Sequence, residues 1–492
     1  MPEYVDGVRV LHRPGNQKHT EITLTFAVGA RDETLRTIGV AHALEHLVMG
    51  TVRRIPIEIN AEVDAMTTSF TASGSPARVG EFLEQLCRSL TAPPVDRLAL
   101  EAGILAAEDG QAAHPVVAYL MYALHGAQGP GLLWLEGPGY DGLTGDHVVA
   151  FARRWFVASN AVLEVTGPLP ENLRLPLDPG PAPARPDFPR RVFDGPAVIE
   201  GGIPAAGLAV TLPMDDSARR SALTMYVLGE RIEEQCRHVG GHSYVVGGDL
   251  MIRPDGSGDY VVYAEARDGS EEAVARIVVE ALRDLAAHGP TESELSFQID
   301  RWLERMEAEP EQLQAERNNA IGALFGLPTL DPVDVDALRK VSPQDIAAVL
   351  TAALPTAIGY TFDDTSGVWQ ESGFGLTPPC PVLTELPAGK VFKPPLFARA
   401  FFKEARGMQW VQTADGLVLR DEDGIHEVRW DSIAGVQRGT DESPTIVYGV
   451  NGCAMPVDTD LFRGADDVLA ELQRRVPASL WFDESKLGPA DD

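Results

Sequence analysis

The sequence predicts an α+β fold made of two tandem, similarly organised α/β units, followed by a small β-rich block with one closing helix. Both units open with an alternating apolar run that is typical of a strand, TEITLTFAVGA at 20–30 and AAGLAVTLPM at 205–214. Each run leads into a helical segment, and each unit closes with a helix and then a strand. The same order of elements in both halves indicates an internal repeat.

Two proline-rich stretches divide the 492 residues into these parts. The first lies at 169–191 and the second at 370–395, and such segments commonly connect domains as semi-rigid linkers. We therefore expect a first unit at 1–185, a second unit at 196–365, a linker at 366–395, a β-rich domain at 396–480 and an acidic tail at 481–492.

The third part carries the pattern of short antiparallel strands. Turn signals at Asp415-Gly416 and Asp423-Gly424 separate alternating segments, and an amphipathic helix is predicted at 465–476. Short strands closed by one C-terminal helix resemble a pleckstrin-homology-like module. The segment RDEDGIHEVRWDSI has few cations for a phosphoinositide pocket, so we expect this block to bind protein or to be structural.

Composition and charge restrict the class of protein. The net charge of −31 disfavours nucleic acid or an anionic membrane as a partner, and it favours basic or neutral peptides. The sequence has no apolar run of about eighteen residues and no signal-peptide pattern at its start, which predicts no membrane insertion. The four cysteines are scattered without metal-binding spacing; this is typical of a reducing compartment and predicts the cytoplasm.

The segment GVAHALEHLVMG at 39–50 places two histidines and a glutamate among helix-forming residues. In a helix His42 and His46 lie one turn apart on the same face, with Glu45 close to both. Two imidazoles can bind one Zn²⁺ in this arrangement while the carboxylate stays near enough to transfer protons. Chance is the alternative, because a random H-x-x-E-H occurs in roughly one such chain in fifty.

A catalytic zinc site needs a third protein ligand, and the segment LALEAGILAAEDG offers two acids. Glu101 and Glu108 are seven positions apart, which predicts two helical turns on one face. H-x-x-E-H followed by E-x6-E resembles the signature of the inverzincin zinc metallopeptidases, the pitrilysin and insulinase family. The segments DGVRVL, VGARDET and GVAHALEHLVMGT also resemble segments of that family.

The resemblance implies a role for each residue of the motif. His42, His46 and Glu108 would ligate one zinc per chain. Glu45 would be the general base that activates water, and Glu101 would orient the ligands. The segment between His46 and Glu108 is shorter than the family norm. The missing residues fall where the family has the edge strand that pairs with substrate. We expect DAMTTSFTASGSP at 64–76 to be that strand.

The second unit contains CRHVGGHSY at 236–244, which resembles the family's R-x6-Y element. The resemblance implies that Arg237 and Tyr244 bind substrate and stabilise the charge that forms on the carbonyl oxygen, at a zinc site across a chamber. The alternative is an ordinary surface arginine and a core tyrosine.

The resemblance covers about residues 1–365 and implies half of a clam-shell, with antiparallel-rich sheets covered by helices. It is similar to the half-size, processing-peptidase-like branch of the family. Since one chain holds both the zinc motif and the R-x6-Y element, a homodimer is the simplest assembly, and a heterodimer with a related subunit is the other. The implied function is a zinc endopeptidase that cleaves peptides or unfolded precursor segments, including leader peptides. The alternative is a non-catalytic scaffold or partner-binding subunit.

Overall fold

The computed structural model describes most of the 492 residues. The described residues are 4–15, 18–108, 112–181, 183–214, 219–308, 311–401, 404–440, 443–459, 461–462 and 464–486. Within these ranges, no helix combines the length and the apolar character that a membrane span requires.

A six-stranded sheet with its covering helices forms the first unit. Its strands are β1 (Tyr4–Val5), β2 (Val8–Arg13), β3 (Thr20–Phe26), β4 (Glu58–Val63), β5 (Thr68–Gly74) and β6 (Ala161–Thr166). Its helices are α1 (Val40–Val52), α2 (Pro76–Thr91), α3 (Leu98–Leu105), α4 (Pro115–His125) and α5 (Gly145–Trp155). The strand order is β1-β2-β6-β3-β5-β4, with β2 and β6 parallel and the other pairs antiparallel.

A second six-stranded sheet forms the second unit. Its strands are β7 (Ala197–Gly201), β8 (Ala205–Pro213), β9 (Val246–Ile252), β10 (Ser257–Glu265), β11 (Ile358–Phe362) and β12 (Gly375–Leu376). Its helices are α6 (Arg220–Glu233), α7 (Glu271–His288), α8 (Glu292–Ala308), α9 (Glu311–Leu324), α10 (Val335–Arg339), α11 (Pro343–Ala353) and α12 (Ser366–Glu371).

The two sheets repeat one topology. In the order β12-β7-β11-β8-β10-β9, the last five strands occupy the places of β2, β6, β3, β5 and β4 in the first sheet. The parallel pair recurs as well, since β7 and β11 are parallel whereas β11, β8, β10 and β9 pair antiparallel. The structure therefore confirms the predicted α+β class and the repeat of one unit.

Each sheet is covered by helices whose apolar residues recur at helical spacing. In α2 the buried positions Val79, Phe82, Leu83 and Leu86 form one stripe against the first sheet. In α7 the corresponding stripe belongs to the core of the second unit and is formed by Val274, Val278, Leu282 and Leu285. Each unit thus has its own hydrophobic core.

The edge of the first sheet differs from the expectation. The segment 64–76, expected as the edge strand, supplies β5, which pairs with both β3 and β4 inside the sheet. The edge strand is β4, where Glu58, Asn60 and Glu62 alternate with less polar residues. The sequence of β4 explains this position, because strands with charged side chains on one face tolerate an unpaired, solvated edge.

Helix α4 joins the two units. Its apolar residues Val116, Leu120 and Leu124 share one buried cluster with strands β7, β8 and β11 of the second sheet. The helix belongs to the first unit by sequence, but it packs against the other sheet. The units are therefore held together by a hydrophobic interface and not only by the connecting chain.

A buried carboxylate lies at the same interface. Asp259 of β10 is 1% exposed and lies 3.3 Å from His125 Nε2 and 3.4 Å from Arg253 Nη1. Arg190, from the proline-rich connection, approaches it to 3.9 Å. Burial opposes the ionisation of Asp259, but the hydrogen bond and charge of His125, with help from Arg190 and Thr211, lower its pKa to about 2. One carboxylate thus contacts both units and their connection.

The C-terminal block consists of two four-stranded sheets and a closing helix. Its strands are β13 (Lys390–Phe392), β14 (Gln409–Gln412), β15 (Gly416–Arg420), β16 (Ile425–Arg429), β17 (Ile433–Gln437), β18 (Thr445–Gly449), β19 (Ala454–Val457) and β20 (Trp481–Phe482). Its helices are α13 (Leu396–Phe401) and α14 (Ala465–Arg475). The strand orders are β13-β14-β15-β16 and β19-β18-β17-β20. Both sheets and α14 contribute to one core, which includes Trp410, Val447 and Leu472.

The strands extend beyond the expected domain boundaries. The segment 366–395, expected as a linker, contains α12 and β12, and β12 pairs with β7 in the second sheet. The same segment ends with β13, which pairs with β14. At the other end β20 lies in the expected tail and pairs with β17. These segments therefore contain short strands at sheet edges. Proline and glycine are tolerated beside such strands, because an edge strand leaves one side of its backbone unpaired.

Replacement of the buried carboxylate at the interface tests its contribution to stability. We expect Asp259→Asn to lower the free energy of unfolding at pH 7 by about 3 kcal/mol, because it leaves buried cations without their partner. The folded-state pKa of Asp259, about 2, lies below its unfolded value. The stabilisation is therefore complete above pH ~4 and is lost as the pH falls through about 2.

Urea denaturation at several pH values measures this difference, and the exposed Asp300→Asn is the control. Equal stability of Asp259→Asn and Asp300→Asn at pH 7 would contradict the role given to the buried ion pairs.

Candidate metal centre

Helix α1 begins next to a buried carboxylate that binds its first amide groups. The Glu33 carboxylate accepts hydrogen bonds from the backbone N–H of Gly39 at 2.8 Å and of Ala41 at 2.9 Å. These amides have no partner inside the helix, so an acidic acceptor satisfies them and complements the positive end of the helix. Burial raises the pKa of Glu33 to about 8, although the two amide hydrogen bonds oppose that rise.

Gly39 is required at the start of α1 for two reasons. Its φ of 85° lies in the left-handed region, and a Cβ at this position would be 2.6 Å from the ring of Tyr140. The close approach places the Tyr140 hydroxyl 3.2 Å from His42 Nδ1. The turn that begins the helix therefore also determines what contacts the first histidine.

The apolar side of α1 determines which residues face outwards. Leu44, Leu47 and Val48 are fully buried in the core of the first unit. On the opposite side the side chains of His42, Glu45 and His46 are 24%, 11% and 19% exposed. The helical period thus places the two histidines and the glutamate at the same partly solvated surface, as predicted from H-x-x-E-H.

Three donor atoms converge at this surface. His42 Nε2 lies 3.7 Å from Glu108 Oε2, and His46 Nε2 lies 3.3 Å from the same oxygen. Ligand atoms about 2.0–2.2 Å from a tetrahedral zinc are separated from one another by about 3.3–3.6 Å. The observed separations are close to this range, and two imidazoles with one carboxylate are a zinc donor set. The residues present therefore fit the metal.

Glu108 reaches the histidines from a turn and not from a helix. The seven-residue spacing predicted that Glu101 and Glu108 lie on one helix face, but α3 ends at Leu105. Beyond it the amides of Ala107 and Glu108 bond to carbonyl oxygens three residues back, which tightens the chain. This turn takes the place of a further helical turn, and it still brings the Glu108 carboxylate close to His42 and His46.

Glu45 lies beside the three donors without being the nearest carboxylate. Its Oε2 atom is 3.8 Å from His42 Nε2 and 3.9 Å from His46 Nε2. Burial raises the pKa of Glu45 to about 7, and Glu108 adds to this effect while His46 opposes it. Burial also lowers the pKa of His42, which favours the neutral imidazole that binds metals.

In both histidines Nε2 lies near Glu108, and the other ring nitrogen, Nδ1, lies near an oxygen atom of a further side chain. Glu101 Oε2 lies 3.6 Å from His46 Nδ1, and Arg97 donates a 2.7 Å hydrogen bond to the other oxygen of Glu101. Tyr140 has the equivalent position at His42. Such contacts orient imidazole ligands. No sequence motif predicts a role for Glu33, Arg97 or Tyr140, although Glu33 lies in the segment VGARDET at 28–34.

Arg237 and Tyr244 do not contact these residues in the same chain. Arg237 lies in a π-helical turn after α6, is half exposed and donates to Glu233 Oε1 at 3.1 Å. Tyr244 is 72% exposed, and its ring packs under the guanidinium of Arg267. The described contacts of both side chains are therefore within the second unit. The alternative expectation of a core tyrosine is wrong, because Tyr244 is at the surface.

Comparison with known proteins identifies the fold. No protein-family model matches the sequence, and no curated protein matches it. Several solved structures, three of which follow, resemble the chain over nearly three quarters of its length. A protease from Helicobacter pylori has 14% identity and a TM-score of 0.58, covering 73% of this chain and 97% of that one.

The first half of the periplasmic protease PqqL from Escherichia coli has 15% identity and a TM-score of 0.52, covering 75% of this chain and 93% of that one. A peptidase M16 inactive domain from Pseudomonas fluorescens has 17% identity and a TM-score of 0.54, covering 72% of this chain and 96% of that one. The chain thus has the fold of M16 peptidase units. One of these similar structures is an inactive domain, so the fold occurs both in proteases and in an inactive domain.

The contact between Glu33 and α1 generates a stability prediction. Glu33→Ala leaves one buried and one partly buried amide without an acceptor, so we expect it to lower the free energy of unfolding by about 3 kcal/mol. Glu33→Gln keeps one acceptor oxygen and is expected to cost about half as much. Chemical denaturation measures both variants, and the exposed Glu171→Ala is the control. If Glu33→Ala were as stable as Glu171→Ala, the carboxylate would not be what holds the start of the helix.

Proposed function

We propose that the chain is a zinc-dependent endopeptidase that cleaves peptides or unfolded precursor segments. The observation that carries the proposal is the convergence of His42 Nε2, His46 Nε2 and the Glu108 carboxylate, with Glu45 less than 4 Å from both nitrogens. This is a donor set for one zinc and a nearby carboxylate that is not needed as a ligand. The M16 peptidase fold supports the same function.

Each residue has a separate task in the proposed reaction. Zinc held by His42, His46 and Glu108 would supply a Lewis acid for the scissile carbonyl. Glu45 accepts one proton from the attacking water as the water oxygen bonds to the carbonyl carbon; the C–N bond then breaks, and the leaving nitrogen receives that proton from Glu45. Tyr140 and Glu101 keep the two imidazoles in orientation through their Nδ1 atoms.

The exposed strand β4 is the proposed binding edge for an extended peptide. It forms the end of the sheet order, and its outer backbone groups are available for one more strand. It follows α1 in the chain and contacts that helix, so a peptide paired with it would pass near the histidines. The net charge of −31 favours basic or neutral substrates over acidic ones. Maturation of a precursor or leader peptide is the use we propose.

We also propose that Arg237 and Tyr244 complete the site of a second subunit. Both are exposed and have no contact with His42 or His46 among the described residues of their own chain. A guanidinium and a phenol can each donate a hydrogen bond to an oxygen that gains charge during attack. A two-fold homodimer would then contain two identical composite sites, while a heterodimer would supply the pair from a related chain.

The second candidate function is a non-catalytic scaffold subunit. The resemblance to an inactive domain favours it. A scaffold would have no use for a carboxylate placed beside a complete donor set, and the position of Glu45 favours the enzyme.

Zinc content and hydrolysis together distinguish the two candidates. We expect His46→Ala to contain one zinc fewer per chain than the wild type and to lose activity, because a ligand is removed. Glu45→Gln should keep its zinc and lose at least about 100-fold in kcat, because only proton transfer is removed. Elemental analysis and a peptide-cleavage assay measure both effects, with the exposed His288→Ala as the control. Full zinc content in His46→Ala would overturn the ligand assignment.

Subunit exchange tests whether the site is shared. Glu45→Gln protein is mixed with Tyr244→Phe protein, and we expect each to be nearly inactive alone. If Arg237 and Tyr244 act at the site of the other subunit, one site of a mixed dimer contains both substitutions and the other contains neither. Random pairing makes half of the dimers mixed, so about a quarter of wild-type activity should return.

The control is a mass measurement that demonstrates subunit exchange. Absence of recovery despite exchange would exclude a site shared between copies of this chain, and it would place the tyrosine in its own site or in a different partner.

A further inference from the structure

Two thiols and an imidazole meet in the C-terminal block, away from the peptidase motif. The Sγ atom of Cys380 lies 3.1 Å from His426 Nδ1, and one donor atom from each of Cys380, His426 and Cys453 lies within 4.8 Å of the others. Cys453 is 1% exposed and His426 is 8% exposed, while Cys380 is half-buried. The three residues are far apart in the sequence, so only the fold brings them together.

Backbone contacts place the three residues independently of one another. Cys380 lies between β12 and β13, and this segment is fixed to β16 by the hydrogen bond from Leu383 N to Ile425 O at 2.7 Å. His426 is the second residue of β16. Cys453 closes the connection between β18 and β19, where Gly449 N donates to its carbonyl oxygen at 2.8 Å. The convergence thus depends on the fold of the block and not on one flexible loop.

We propose that Cys380, His426 and Cys453 form a second metal site, for zinc or a similar thiophilic divalent ion. Two thiolates and an imidazole are ligands that zinc prefers, and three protein ligands leave one coordination position open. The other nitrogen of the ring supports this assignment, because His426 Nε2 lies 3.5 Å from Asp421 Oδ1. A carboxylate at the distal nitrogen is typical of metal-binding histidines.

The geometry favours a metal over a simple cysteine pair. A disulfide would join only Cys380 and Cys453, and it would not account for the position of the His426 ring 3.1 Å from Cys380 Sγ. Across a zinc tetrahedron, a sulfur and a nitrogen ligand are about 3.6 Å apart. Cys380 Sγ and His426 Nδ1 would separate by about 0.5 Å on loading, which a side-chain rotation of the half-buried Cys380 accommodates.

The site lies where the block contacts the peptidase units. The turn before Cys453 contacts the end of α4, where Ala127 N donates to Val450 O at 3.1 Å and the Tyr122 hydroxyl donates to Gly452 O. On the other side Arg191, from the connection between the units, donates to Pro378 O at 2.8 Å. A metal here would therefore tie the segment entering the block to the surface by which the block is attached.

Cobalt(II) binding to the full chain tests the proposal separately from the peptidase site. The probe is Co²⁺ alone, added to reduced protein that carries His46→Ala, so that the proposed catalytic site does not compete. We expect one cobalt per chain and a thiolate-to-cobalt charge-transfer band, which a site of histidine and glutamate cannot produce. Cys453→Ser and His426→Gln, each added to this background, should lose the bound cobalt and with it the charge-transfer band.

A matched control uses a cysteine outside the cluster. Cys236→Ala removes a buried thiol of the second unit and should leave the band unchanged. Circular dichroism of His426→Gln separates loss of a ligand from loss of folding. Absence of the band in reduced protein overturns the proposal, and so does a band that persists in folded Cys453→Ser. A Cys380–Cys453 disulfide in protein that takes up no cobalt after reduction would assign the pair to redox chemistry instead.

Discussion

The hydrogen bonds from the start of α1 to the Glu33 carboxylate are the contact on which the candidate site depends. They fix the first turn of the helix, and the helical period then places His42, Glu45 and His46 on one surface. The glycine that this turn requires also admits the ring of Tyr140, which reaches the first histidine. Burial of this carboxyl group opposes its ionisation and raises the pKa of Glu33 to about 8.

The repeated topology presents different side chains in the two units. Only the first unit carries the histidine motif on the helix that follows its second long strand. At the equivalent place in the second unit, α6 continues into a π-helical turn that presents Arg237, with Tyr244 shortly beyond it. Helix α4 and the buried Asp259 connect the two units through a shared apolar cluster and an ion pair. One topology thus presents a metal donor set in one copy and hydrogen-bond donors in the other.

Local sequence pattern predicted the features that depend on local periodicity. The two units, their order of elements and the shared face of His42 and His46 follow from alternation and from the helical period. The edge strand was assigned to 64–76 instead of β4, because both strands alternate and only pairing decides which is outermost. The early end of α3 was missed because no proline interrupts the chain before Glu108.

Contacts between separate segments could not be predicted from local sequence pattern. Glu33 accepts hydrogen bonds from the amides of Gly39 and Ala41, six and eight positions later, and no sequence pattern predicts that this glutamate binds those amides. The cluster of Cys380, His426 and Cys453 has no motif spacing, since its members come from three separate segments of one small domain. The same limit applies to the domain boundaries, because the short edge strands β12, β13 and β20 lie in segments whose composition is typical of linkers and tails.

Cleavage of a peptide library, read by mass spectrometry, tests most directly whether this arrangement is a working peptidase. The full chain is stripped of metal, divided, and assayed with and without two added equivalents of zinc per chain, enough for both proposed metal sites. We expect new internal peptide termini in the zinc-restored sample and none in the stripped sample. Intact peptides in both samples, from protein shown to be folded and to have bound zinc at His42, His46 and Glu108, would contradict the proposed function.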